Sequence, residues 1–137
     1  MIYQTQTVSF REELLKGIHD LLTDTIKLAL YTSSATLNEN TTVYSVTHEV
    51  TGGSYSAGGV TLTGVSINNY DGTVYVNFNN AVWSPASFTA AGGLIYNASK
   101  ANRSIAVLSF GNDKTATNSF TVQMPANTYT SALLRFN

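Results

Sequence analysis

Two histidines, eight carboxylates and no cysteine are the whole supply from which this chain of 137 residues could build a catalytic or metal centre. Without cysteine, a thiolate nucleophile, a thiolate metal site and a disulfide framework are excluded together. Zinc needs clustered ligands, and a nucleophilic triad needs a base beside an orienting carboxylate. His19 falls in a helical segment beside Asp20 and reads as a surface or interface residue. His48 precedes Glu49 in an extended piece, where adjacent side chains point to opposite faces. The run Gly52-Gly53-Ser54-Tyr55-Ser56-Ala57-Gly58-Gly59 lacks the Lys of a phosphate loop and the G-x-S-x-G of a nucleophile elbow. It reads as a loop whose glycines serve the backbone. Glycoside hydrolysis needs two carboxylates facing each other across a sugar, and the later chain offers Glu39, Glu49, Asp71 and Asp113, of which Asp71 and Asp113 fit turns. Asn40-Thr41-Thr42, Asn97-Ala98-Ser99 and Asn102-Arg103-Ser104 match the glycosylation pattern, as a chain this rich in Asn, Ser and Thr does by chance. The expectation is no catalytic residue, no cofactor and no metal.

Charged residues make up 11% of the chain, against roughly 25% in an average soluble domain. The polar surface must come from 19 Thr, 14 Ser and 13 Asn. Such groups lose less on desolvation than ions do, so they favour burial against another protein. The net charge is −1 with seven Lys and Arg dispersed along the chain, which leaves no footprint for a phosphate backbone and disfavours nucleic acid. Apolar runs of a few residues cannot span a bilayer, and Met1-Ile2-Tyr3-Gln4-Thr5-Gln6 has no secretory pattern, so cytoplasmic synthesis is expected. Between Glu49 and Lys100 the only charge is Asp71. The aromatic rings in or near this span serve cores, protein interfaces and sugar platforms alike. Tyr55, Tyr75, Trp83, Phe88 and Tyr96 are the candidate interface residues, with Trp83 read first as core or domain-edge packing.

The elements follow from periodicity. Ser9-Phe10-Arg11-Glu12 has the form of a capping box, and Phe10, Leu14, Ile18 and Leu21 or Leu22 form a stripe, predicting a helix over 9–22 with Gly17 inside it. From residue 25 to 31 the period is two, with Ile26, Leu28 and Leu30 opposite Lys27, Ala29 and Tyr31. A short extended piece is expected over 43–50. Strands are expected over 60–67 with a bulge at Gly64, and over 73–79, 86–90, 93–97, 104–110, 117–124 and 130–136. Asn68 to Gly72 reads as the loop of a hairpin. The fold class is mainly β, a single domain over 1–137: a β-sandwich or jelly-roll-like barrel of short antiparallel strands over 25–137, with one N-terminal amphipathic α-helix.

Leu14-Leu15-Lys16-Gly17-Ile18-His19-Asp20, Ile26-Lys27-Leu28-Ala29-Leu30-Tyr31-Thr32, Tyr55-Ser56-Ala57-Gly58-Gly59, Ala81-Val82-Trp83 and Gly93-Leu94-Ile95-Tyr96-Asn97 together resemble a family of small virion structural proteins of tailed bacteriophages. The resemblance covers most of the chain. It implies a non-enzymatic virion protein, a capsid decoration or cement protein on the outer shell, or otherwise a tail or fibre component that could contact host glycan. The implied partners are major capsid or other virion proteins. The low charge adds an expectation of self-association, as a trimer matching the local threefold points of a shell.

Overall fold

A computed structural model describes the whole chain, Met1–Asn137. Its centre is laid down by strand β2, Ile26–Tyr31, whose alternation is not apolar against polar but apolar on both sides. Ile26, Leu28 and Leu30 enter one hydrophobic cluster and Ala29 and Tyr31 another. A strand covered on both faces must lie inside a sheet. It does: β2 pairs along its full length with β7, Thr89–Asn97, and β7 pairs with β8, Arg103–Thr115. With β1 (Thr5–Gln6) and β3 (Val60–Thr61) at the edges, the antiparallel sheet runs β1-β8-β7-β2-β3.

Two small sheets close the other side of a sandwich-like body. One is β10-β5-β4, made of Leu134–Phe136, Thr73–Asn77 and Ser66–Tyr70. The other pairs β6, Ala81–Trp83, with β9, Phe120–Val122. The larger cluster, 24 buried residues, draws Leu28, Ile95 and Ile105 from the five-stranded sheet and Val76, Trp83, Phe120 and Leu134 from the small ones. The outer face of the five-stranded sheet has no third sheet. It is covered by the loop after β2, which sets Ala35 and Leu37 on Ala29, Tyr31, Leu94, Tyr96 and Val107. Met1 and Ile2 hold that loop from outside, through the N-terminal amine on Ala35 O at 3.0 Å and a bridge from Ile2 to Leu37.

The helix, α1, is shorter than its apolar stripe suggests. It spans Val8–Leu15, is capped by the Thr7 hydroxyl rather than by Ser9, and ends where Gly17 takes φ +74°. That left-handed residue terminates a helix as Gly does at a C-terminal cap. Ile18, Leu21 and Leu22 therefore belong to the following turn, and Leu22 is exposed. The expected 60–67 strand is broken at Gly64, where the chain leaves one sheet for the other. One strand, Thr89–Asn97, stands where strands were expected over 86–90 and 93–97, residues 86–88 lie outside it, and the strand of Ala81–Trp83 has no periodic signal of its own. Residues 43–50 make only isolated bridges, from Val43 to Arg103 and from Tyr31 to Glu49. The hairpin is present and tighter than expected: Tyr70 faces Thr73 across Asp71-Gly72 alone, both at positive φ, the form that suits a two-residue turn. Asp113 lies in β8 and not in a turn.

Burial along α1 separates what is packed from what is not: Phe10 is fully buried while Leu15 is 91% exposed. Phe10→Ala is expected to lower unfolding free energy by about 3–5 kcal/mol and Leu15→Ala by less than about 0.5, measured by urea unfolding.

Candidate functional site

The one carboxylate in the interior without a cationic partner is Glu49, 6% exposed. It stands at the end of the covering loop, where Val50 N bonds Leu30 O at 3.0 Å and the chain turns into the Gly-rich run. Its oxygens accept from Tyr44 Oη at 2.6 Å, from Gly58 N at 2.8 Å and from Tyr55 Oη. Tyr55 Oη also accepts from Leu30 N at 2.9 Å, so one hydroxyl joins the sheet to the carboxylate. Tyr96 Oη donates to Gly58 O at 2.7 Å, its ring stacks on Tyr44 at 4.6 Å, and Tyr31 Oη donates to Ser45 O at 2.6 Å. Gly59 follows because a Cβ there would lie 1.7 Å from Leu28 O: the loop backbone touches the strand backbone.

Burial pushes the Tyr31, Tyr44 and Tyr55 phenols far above their ordinary range, and the nearby Glu49 charge adds to it. Tyr96 is pushed up to about 12 for the same reasons in the same order. These phenols stay protonated and act as donors. The cluster therefore has no phenolate nucleophile, and its carboxylate is enclosed by hydrogen bonds that close a loop onto a sheet.

A second polar cluster joins the turn after α1 to the end of β7. His19, expected at the surface, has a fully buried side chain. Its Nδ1 accepts from Asn97 Nδ2 at 2.9 Å, which leaves the proton on Nε2 to be donated to Glu13 Oε1 at 2.9 Å. The carboxylate that sequence spacing denied to His19 comes from six residues back, once Gly17 reverses the chain. Asn97 is fully buried and Nδ2 also donates to Asp24 Oδ2 at 2.8 Å, while Lys100 Nζ reaches Asp24 Oδ1 at 2.8 Å. Desolvation pushes the Asp24 carboxyl up. The hydrogen bonds from Asn97, Lys100 and Asp20 N, with the Lys100 charge, outweigh it and hold the group at about 2. Both His19 nitrogens are engaged, so the ring has no free base to offer a substrate.

Of the candidate interface residues, Tyr55, Trp83, Phe88 and Tyr96 are 8%, 5%, 7% and 2% exposed, and only Tyr75 is half-buried. Trp83 packs edge-on to Phe88 and Phe120 at 6.4 and 6.0 Å, inside the large cluster. These rings build the core of the single chain and leave little surface for a second one. Asn77 is also buried and donates to Pro125 O at 2.8 Å. What residues 50–99 do present outward is uncharged apart from Asp71, and includes exposed Ile67, Tyr70, Val74 and Val82. The largest groove, about 450 Å³ and open, is lined by Phe110, Lys114, Phe120 and Val122 and by no residue of either polar cluster. Fold and clusters together define a β-sandwich whose polar chemistry is turned inward. No protein-family model matches the chain, nor does any curated protein or solved structure.

Tyr55→Phe leaves Leu30 N–H unpaired and takes from Glu49 Oε2 one of its two donors, Gly58 N remaining, and is expected to cost about 1–3 kcal/mol in urea unfolding. Asp24 sets a pH dependence. Its folded pKa lies below the ordinary 3.8, so its contribution is complete above that value and is lost as pH falls to about 2. The stability gap between the native chain and Asp24→Asn should be open at pH 6 and close across that window. A gap constant from pH 6 to pH 2 would show that the charge of Asp24 contributes nothing.

Proposed function

We propose that the chain is a non-enzymatic structural protein of a tailed-phage virion, a capsid decoration or cement protein that binds the outer shell as a symmetric oligomer. The observation that carries this reading is the outward surface of residues 50–99, where Asp71 is the one charge beside exposed Ile67, Tyr70, Val74 and Val82. A free monomer normally keeps charge on its surface for solubility, and interface cores are depleted in charge. Support also comes from the resemblance of its short sequence words, in their order, to a family of small virion proteins and from the engagement of both polar clusters within the chain.

A tail or fibre component contacting host glycan is the alternative. Trp83 is too enclosed to stack on a sugar, but Tyr70, 61% exposed, lies against Tyr129 with ring centroids 4.8 Å apart. That pair is the surface platform the alternative would use.

A map of the particle that encodes the chain tests both. Density for this β-sandwich on the outer face of the shell is expected. Density on the tail would favour the alternative, and a glycan titration without saturable binding would then remove its sugar. Purified particles that contain none of the chain would sink the virion reading altogether.

A further inference from the structure

Strand β4, Ser66–Tyr70, is the longest edge strand in the molecule and is unlike the rest of the β structure. Four of its five residues are exposed and Ser66 is half-buried, although on one face Asn127 Nδ2 donates to Ser66 Oγ at 3.0 Å and Tyr129 lies against Tyr70. Its sequence, Ser-Ile-Asn-Asn-Tyr, holds no Lys, no Pro and no charge, the devices by which edge strands are normally kept from pairing. The other long open stretch, the end of β8 beyond the reach of β1, does carry them: Asp113, Lys114 and Gly111 at φ +83°.

The hairpin fixes which backbone groups of β4 are free. In a two-residue hairpin the pair that closes the turn is the hydrogen-bonded one, here Tyr70 with Thr73. Hydrogen-bonded and non-bonded pairs alternate from there, so Ser66, Asn68 and Tyr70 turn their N–H and C=O to β5. Ile67 and Asn69 turn theirs outward, and no backbone bond outside the ladder reaches residues 66–70.

We infer that this edge is a self-association surface whose occupant is β4 of a second copy of the chain, antiparallel about a two-fold axis at Asn68. The edge is its own complement. Ile67 opposite Asn69 of the second copy satisfies all four outward groups on each strand, whereas a shift of two residues breaks part of the set. Ile67, 42% exposed, then lies diagonal to its symmetry mate on one face. On the other face Asn68 opposes its own copy, and no charge opposes a like charge. The three-stranded sheet becomes a continuous six-stranded one, β10-β5-β4 and its mate. The pair has a two-fold axis, in place of the trimer expected from the local threefold points of a shell, because an edge that complements itself closes in a pair.

The inference deepens the assembly reading by naming the contact between copies. Sedimentation equilibrium of the full chain should give a mass near twice 14.7 kDa at high concentration. Asn68→Lys and Asn68→Glu, at an exposed position in the closest cross-strand pair, should each return the mass to that of one chain with an unchanged melting profile. Mixing the two should restore the pair, since opposite charges then meet at the axis. A chain that stays single at its solubility limit, or a pair that survives both substitutions, would overturn the inference. None of these measurements uses a particle. A chain that pairs in solution yet is missing from virions sinks the virion reading alone, and a single chain seated on a shell sinks this one alone.

Discussion

The pairing of β2 with β7 places side by side two strands that bury most of both faces, and each face must be kept from water by something else in a chain of modest length. On one side the two small sheets suffice. On the other a loop has to do what a sheet would do, and a loop carries backbone polar groups that a ladder does not satisfy. Tyrosines resolve the conflict from both directions: Tyr31 and Tyr96 extend hydroxyls from the sheet to the loops, and Tyr44 and Tyr55 extend theirs from the loops. Tyr31 reaches Ser45 O, Tyr96 reaches Gly58 O, and Tyr44 and Tyr55 meet on Glu49. Glu49 is the common point at which covering loop, Gly-rich run and sheet are held together.

Parts of this were readable from the sequence and parts were not, for reasons that can be named. Strand 26–31 was legible because strict alternation survives even when both faces are buried. The hairpin was legible because Asp71-Gly72 is turn chemistry written in adjacent residues. The end of α1 was obscured because Ile18 and Leu21 continue the apolar spacing past Gly17, and a stripe does not report the φ of one residue. Residue type makes Tyr55, Tyr75, Phe88 and Tyr96 interface candidates because it records that a ring will be buried and not against what, whereas the first reading of Trp83, core packing, agrees with its place in the large cluster. Glu49 and His19 were missed for a common reason. Their partners are set by tertiary contacts, Asn97 lying 78 residues from His19 and Gly58 meeting Glu49 across a loop, and no local spacing encodes such meetings.

Both polar clusters tie remote segments together, and this shapes what the interior can do. A buried polar group that finds all its partners adds little net stability but strongly disfavours arrangements in which those partners are elsewhere. Asn97 donates to His19 and Asp24 and accepts from Ser99 N, so the turn after α1 and the turn after β7 are fixed to one another through a single amide. Outside the two clusters the pairing is less complete, since Asn77 Oδ1 and Trp83 Nε1 are buried and find no hydrogen-bond partner in the chain.

The sparse charge on the outward surface of residues 50–99 has a further consequence, in how the molecule responds to its medium. Screening by dissolved ions acts on charges, over about 8 Å at physiological ionic strength, and has little to act on where Asp71 stands alone. A contact made through backbone hydrogen bonds, amides, hydroxyls and apolar side chains keeps its strength from fresh water to brine.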